Sequence, residues 1–389
     1  MERPGWVQHR ERPIDDGRHP QRLRRRAFPC RWTESVRGFM IAPISQITLS
    51  RSLSTFTQTP QAAQARLVGD IGGTNARFAI VDERDRLSHV RVLHCADFAG
   101  PEEALRSYVE LEAIALPAVA AFGIANPVTG DEVAMTNHRW RFSVEHLRQR
   151  VGLDRLLLVN DFTALALSLP QLAQDERHAL GGGTPVAGQA IGLIGPGTGL
   201  GVSGLLPAAD GYLPLQGEGG HVTLAARDAR EVRIIEWMWR HHDHVSAERV
   251  LSGPGLVMLH DAARDLAAAP PRKLGSADIT GQALAGTCPY CAEALDLFCA
   301  LLGTVAGDLA LTLGARGGVY LGGGILPRLG SFFAQSRFRS RFEDKGRFSS
   351  YLARIPTFVI DAPYAALRGA AAALKCPVRV GYDTTKQAQ

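Results

Sequence analysis

Asn160-Asp161 stands where a continuous apolar run, Leu156 to Asn160, gives way to the apolar segment Thr163–Leu169. In open α/β sheets ligands bind outside the carboxyl ends of the strands, and an aspartate placed there can accept the proton of an attacking hydroxyl. The same residue makes a good helix cap, and spacing alone leaves both uses open. A second carboxylate, Asp70, lies in Gly69-Asp70-Ile71-Gly72-Gly73-Thr74-Asn75, at the end of another apolar run. Glycines there let backbone approach a phosphate, while Thr and Asn can donate to its oxygens. Asp70 can hold Mg²⁺ directly or through water. An ordinary hairpin turn would use the same letters.

Two further glycine-rich turns follow. Gly195-Pro196-Gly197-Thr198-Gly199-Leu200-Gly201 lacks the Gly-Lys-Ser/Thr ending of a Walker loop. Strand pattern rather than helix comes after it, so it is not a dinucleotide fingerprint. Gly322-Gly323-Gly324 could admit a flat purine against bare backbone. Each turn is weak evidence by itself, but three at strand ends form a pattern. Glu218-Gly219-Gly220-His221 and, thirty residues on, Glu248 supply carboxylates and an imidazole. Such groups can read a ring of hydroxyls, since a polyol lacking one would leave them unpaired. His221 has an alternative use as a core histidine bonded to backbone.

Two other clusters count for less. Cys288-Pro289-Tyr290-Cys291 copies the glutaredoxin dithiol, whose thiolate is stabilised at a helix N-terminus. That motif belongs after the first strand of a small βαβ domain, whereas Ile279–Thr287 shows no strand alternation. His241-His242-Asp243-His244 follows a helical pattern in a polar stretch and reads as a solvated helix end.

These residues need a scaffold. Leu67–Ile71, Phe78–Val81, Ala118–Ile124 and Leu156–Asn160 read as strands, with helical patterns at 101–116 and 143–151, so the sheet is at least partly parallel. A similar strand–turn–strand opening recurs at Ile191–Leu206, and the two turn threonines, Thr74 and Thr198, are 124 residues apart. Two related halves are expected. Helices are predicted at 228–240, 254–268, 290–313, from near Pro327, and at 365–374, with one more strand at Val319–Leu321.

At 389 residues, 46% hydrophobic and 21% charged, the chain has room for a core spread over two domains. The longest uncharged stretch, His178 to Ala209, holds ten Gly and three Pro, which excludes it as a membrane span. The net charge of +5 belongs to residues 1–40, with ten Arg and five acids; the remainder carries 33 basic and 33 acidic residues. The body therefore has no charge excess pointing to nucleic acid. Residues 1–65 read as a disordered leader, basic and then rich in Ser and Thr. A transit peptide shares that richness, but the acids argue against one, and Met40 is a plausible alternative start. Six Cys are too few for a disulfide scaffold and fit a reducing cytoplasm.

Leu67-Val68-Gly69-Asp70-Ile71-Gly72-Gly73-Thr74-Asn75-Ala76-Arg77 resembles the opening of the bacterial glucokinase family, within the hexokinase–actin–Hsp70 ATPase superfamily. The resemblance continues in family order through Met135-Thr136-Asn137-His138, Asn160–Ala164, Gly195–Gly201, Glu218–Val222, Glu248–Gly255 and Phe342–Phe348, from about residue 66 to 374. It implies an α/β, two-lobed actin-like ATPase (ribonuclease H-like) fold, with duplicated domains and a cleft between them. The smaller lobe would be 66–171 plus 364–389, the larger 172–363. It further implies an ATP-dependent, cytoplasmic and homodimeric kinase making glucose 6-phosphate at the start of glycolysis.

In that reading Asp161 is the general base, and Asn160, Asp161, Glu218, His221 and Glu248 hold the sugar. Gly69, Asp70, Ile71, Gly72, Gly73 and Thr74, with Gly195, Gly197, Thr198 and Gly199, surround the ATP phosphates and Mg²⁺. Gly322, Gly323 and Gly324 flank adenosine, and Asp70 is the candidate metal ligand. Alternatives within the resemblance are another hexose, polyphosphate as donor, or a non-catalytic sugar sensor. Thr223 and Ala226 depart from the family's usual acidic residue and Pro. No Cys lies between His221 and Cys288, which disfavours the zinc-binding repressor/open-reading-frame/kinase subfamily.

Overall fold

In the computed structural model, residues 65–386 are described, so the expected leader lies outside the described residues. Strands β1 (Arg66–Ile71), β2 (Asn75–Val81) and β3 (Leu87–His94) form a meander. β4 (Val119–Ile124) then runs parallel to β1. A short hairpin, β5 (Glu132–Ala134) and β6 (Arg141–Ser143), precedes β7 (Arg155–Asn160), which runs parallel to β4. The second sheet contains β8 (Arg177–Leu180), β9 (Ile191–Pro196), β10 (Leu200–Ala208), β11 (Gly211–Pro214), β12 (Val319–Leu321) and β13 (Thr357–Ile360). β14 (Tyr382–Thr385) returns to the first sheet.

The sheet orders are β3-β2-β1-β4-β7-β14 and β11-β10-β9-β12-β13-β8. Both consist of an antiparallel meander, two parallel strands and an antiparallel edge strand. The duplication expected from the two openings is therefore present strand for strand. The edge strands differ in origin, because β8 precedes its sheet in sequence whereas β14 comes from the far end of the chain.

Alternation along the strands sorts side chains into layers. In β1, Leu67 and Ile71 join a core with the helices Pro101–Glu112 and Val144–Val151, while Val68 faces the other way. In β7, Leu156 and Leu158 take the first side, Leu157 and Val159 the second. From the second sheet, Leu193, Tyr320, Phe358 and Ile360 join that same second cluster. The helices Asp161–Ser168 and Ala365–Ala373 lie in it, packed against each other. Their approach is close at Gly369, where a Cβ would overlap the Ala164 carbonyl, so a side chain there would drive the helices apart.

The outer side of the second sheet is covered by the helices Gly253–Leu266, Ser276–Leu284 and Pro289–Leu313. By length and composition Pro289–Leu313 could cross a membrane, yet 78% of its apolar window is buried within the protein. It is a core helix. Where a helix is expected from near Pro327, the structure has a 3₁₀ turn, Leu326–Leu329, and the α-helix proper begins only at Ser331, as Ser331–Gln335.

Candidate active site

The two-residue period of β1 decides where its carboxylate points. Gly69 shares the outer face with Leu67 and Ile71, with Phe122 and Phe78 against it, while Asp70 shares the inner face with Val68. Register aligns Ile71, Ile124 and Asn160 at one level, so β1, β4 and β7 end together. Asp70 and Asn160-Asp161 thereby meet at the carboxyl ends of parallel strands. Of the turn residues proposed for phosphate contact, Gly69 and Ile71 are buried against the core and can offer a ligand only backbone. Gly72 donates its N–H to Asn75 O at 2.9 Å, Gly73 packs on Asn137, and Thr74 is exposed.

The cap at the start of the helix Asp161–Ser168 is Asn160, whose Oδ1 accepts from Thr163 N at 3.0 Å. Its Nδ2 donates to Asp161 Oδ1 at 3.1 Å and to Asn126 O at 3.5 Å. Asp161 Oδ1 also accepts from Phe162 N at 2.9 Å. One carboxylate oxygen is thus held by two donors, and Oδ2 makes no hydrogen bond among the described residues. The alternative that Asp161 serves as the cap is resolved, since its neighbour fills that role.

Burial, then the negative charge of Asp70 and more weakly of Glu218, pushes the Asp161 carboxyl up to about 7, against the lowering effect of the Phe162 N–H. Asp70 is raised as well, by burial that outweighs its ion pair with Arg77, Nη1 to Oδ2 at 2.7 Å. A carboxyl can act as a base only when ionised, so the base role expected of Asp161 depends on pH. We therefore expect kcat/KM to fall about tenfold per pH unit once the pH drops below about 7. A profile flat across about pH 6 to 8 would remove Asp161 from that role.

Glu248 and His221, expected to read hydroxyls, meet near the start of β10. Glu248 sits in the short helix Ala247–Val250, and its Oε2 accepts from Leu200 N at 2.9 Å. Its Oε1 is 3.8 Å from His221 Nε2. His221 closes a 3₁₀ turn, donating its backbone N–H to Glu218 O at 3.0 Å. Its side chain is 59% exposed, so the core-histidine alternative fails. Ala247 N donates to Val222 O at 2.8 Å and Thr223 bridges Ser246, which stitches the two segments together.

The glycines from 195 to 201 divide into two groups. Gly197 N donates to Gly199 O at 2.8 Å around exposed Thr198, and Gly199 lies against Glu248. Gly195 and Gly201 are cross-strand partners, and the Phe162 ring lies over both. A Cβ on Gly195 would be 2.7 Å from the ring, and one on Gly201 would overlap it. Gly322 donates to Ile194 O at 2.9 Å, which sets Gly322-Gly323-Gly324 beside the β9–β10 turn. Gly323 backs onto Pro196, and Gly324 is open.

Four residues without a role in the sequence reading belong to this region: Phe162, Arg77, Asn126 and Asn137. Hairpin pairing of Asp70 with Arg77 was the signal available for the ion pair. Asn126 Oδ1 accepts from Thr136 Oγ1 at 2.9 Å, which ties the block around Thr136 to the end of β4. The Phe342–Phe348 block is built into ion pairs instead, with Arg227–Asp344 at 2.8 Å and Arg339–Glu343 at 2.6 Å.

The arrangement thus holds a buried carboxyl raised to about 7, a second carboxylate and a Glu248–His221 pair beside glycine turns, on two sheets of matching topology. The glucokinase family model matches residues 67–376. A glucokinase of Aromatoleum aromaticum is 62% identical over 311 residues, which cover 79% of this chain and 94% of that one. The crystal structure of a glucokinase from an Antarctic psychrotroph superposes with a TM-score of 0.73 at 36% identity, covering 80% of this chain and 99% of that one. A ROK family glucokinase from Streptomyces griseus, solved with glucose and AMPPNP, shares the actin-like fold at 18% identity and a TM-score of 0.55, covering 79% and 98% of the two chains. Site, topology and kinship agree, and the chain belongs to the glucokinase family.

Proposed function

We propose that the protein transfers the γ-phosphoryl group of ATP to the 6-hydroxyl of D-glucose, giving glucose 6-phosphate and ADP. The observation that carries this reading is Asp161, with one oxygen pinned by two donors and the other free at the ends of β1, β4 and β7. As the sugar oxygen attacks the γ-phosphorus, Asp161 Oδ2 takes the hydroxyl proton, and the bond to the bridging oxygen of ADP breaks. Holding Oδ1 on Phe162 N and Asn160 Nδ2 fixes the direction in which Oδ2 presents its lone pairs.

Asn160, Glu218, His221 and Glu248 hold the remaining hydroxyls. Gly72–Thr74 and Gly197–Gly199 offer backbone to the phosphates, and Gly322–Gly324 flanks the adenosine. Asp70 suits Mg²⁺, which is commonly bound through one or two carboxylates together with substrate phosphates. The like charges of Asp70 and Asp161 make a cation welcome there. Bound Mg²⁺ would neutralise charge on the phosphates.

We take 66–171 with 364–389 as one lobe and 172–363 as the other, closing on the sugar to exclude water as a competing acceptor. Family kinship supports a cytoplasmic homodimer acting at the start of glycolysis, and sedimentation of the purified protein checks the dimer.

The test is ADP release from Mg-ATP with and without glucose. Sugar-dependent release is expected. Glucose binding without release would point to polyphosphate as donor or to a sensor, and neither binding nor release would remove the hexose. Glu248→Gln keeps an acceptor for Leu200 N but loses the charge facing His221 and the sugar. We expect KM for glucose to rise about 10- to 100-fold, with a smaller change in kcat. An unchanged KM would take Glu248 out of the sugar site.

A further inference from the structure

Behind Glu248 the chain enters the helix Gly253–Leu266, which carries His260. The core helix Pro289–Leu313 packs against it and begins with Cys288 at its cap and Cys291 in its first turn. The ligand atoms of His260, Cys288 and Cys291 all lie within 4.8 Å of one another. All three residues are buried, His260 and Cys291 completely. His260 Nδ1 is 3.0 Å from Asp261 Oδ1. A carboxylate can only accept, so Nδ1 carries the proton and Nε2 keeps its lone pair.

Among the described residues Nε2 is sealed from solvent and has no hydrogen-bond partner. A buried acceptor without a partner costs free energy and calls for an explanation. A cation supplies one, because the remaining groups match the chemistry of a soft metal site: two thiols, an imidazole, and a carboxylate behind the imidazole to orient it. Against burial, the backbone N–H of Cys291 holds the Cys288 thiol below its ordinary range, whereas burial pushes the Cys291 thiol up to about 12, so a bound cation would have to displace that proton.

We propose that His260, Cys288 and Cys291 form a binding site for a thiophilic divalent cation of the zinc type, clamping the helix behind Glu248 to the core helix. On binding, the two thiol protons leave to solvent, and the dication meets two thiolates and a neutral imidazole, so the site is net neutral. Three protein ligands leave the fourth position of a tetrahedral ion to water, reached past Cys288, the member nearest solvent. This ion is separate from the Mg²⁺ of the catalytic site, whose oxygen donors prefer a hard cation.

The experiment titrates Co²⁺ into the full chain after chelation under reducing conditions. One Co²⁺ per chain is expected, with thiolate-to-cobalt charge-transfer absorption and intense tetrahedral bands, both displaced by Zn²⁺ and untouched by Mg²⁺. Zn²⁺ should also raise the Tm and protect Cys288 and Cys291 from alkylation, as mapped by peptide mass. Cys288→Ser should cut the charge-transfer absorption by half or more, since only the Cys291 thiolate remains, and Asp261→Asn should weaken affinity about 10- to 100-fold.

Wild-type protein without that absorption would overturn the proposal, as would a spectrum unchanged in Cys288→Ser. If Cys288→Ser does not fold, the wild-type spectrum and alkylation map still decide. Free alkylation of both thiols in the presence of Zn²⁺ counts against the site, and so does a Cys288–Cys291 disulfide formed in preference to metal binding.

Discussion

Asp161→Asn should cut kcat by about 10²- to 10⁴-fold, the range typical of a lost general base, and at the same time make the protein more stable above neutral pH. Asparagine keeps the oxygen that accepts from Phe162 N and Asn160 Nδ2 and removes only the ionisable partner. The native state raises the Asp161 pKa to about 7, far above that of an unfolded aspartate. The folded protein therefore binds the proton more tightly than the unfolded chain does. Stability from this group is whole below the unfolded pKa and is lost as pH rises through about 7. Between about pH 5.5 and 8 the wild type should lose on the order of 2 kcal/mol from this source, and Asp161→Asn should not. Thermal melts of both proteins at the two pH values check it. A variant stabilised equally at both would mean that the carboxyl titrates normally in the fold.

Gly201→Ala is expected to lower kcat/KM about 100-fold without touching any group that meets substrate. The added methyl would occupy the place of the Phe162 ring, and Phe162 is joined to Asp161 by a rigid peptide and supplies the N–H that pins its carboxylate. Pushing the ring out moves the base by something like an ångström, and misplacements of that size cost about two orders of magnitude. Overpacking of the second sheet would add a stability loss of about 1–3 kcal/mol. A double-mutant cycle separates the two effects. In a Phe162→Ala background the ring is gone, so Gly201→Ala should cause little further loss. Additive losses would mean that the glycine serves the sheet alone.

This glycine pair shows where the sequence was readable and where it was not. The two strand–turn–strand openings, 124 residues apart, were visible in the letters and became two sheets of one topology. Asp161 was visible as a candidate, but whether it caps or reacts depended on Asn160, since either residue suits the cap. Gly195 and Gly201 looked like part of a phosphate cradle. Only the register of β9 with β10 sets them side by side, and only the tertiary fold brings Phe162 over them. Local pattern carries neither fact. β3 and β8 escaped notice because charged residues interrupt their apolar alternation, and β14 because Tyr382–Thr385 is short and half polar. Such segments become strands by pairing with a neighbour more than by their own propensity. Asp70 was read as a metal ligand, while its ion pair with Arg77 appears only once the hairpin is closed.

β14 follows every other described strand in sequence, and it pairs with β7, where the Arg155–Asp383 ion pair at 2.7 Å and 3.1 Å fastens it. The sheet that begins with β1 therefore cannot be finished until the chain through Thr385 has left the ribosome, whereas the sheet from β8 to β13 is continuous and complete earlier. During that interval the edge of β7 is bare, and bare edges invite pairing with other chains. A nascent chain stalled before Tyr382 would own every proposed site residue and still lack the strand that closes the sheet beneath them. Synthesis of residues 382–385 is therefore the step that covers this bare edge.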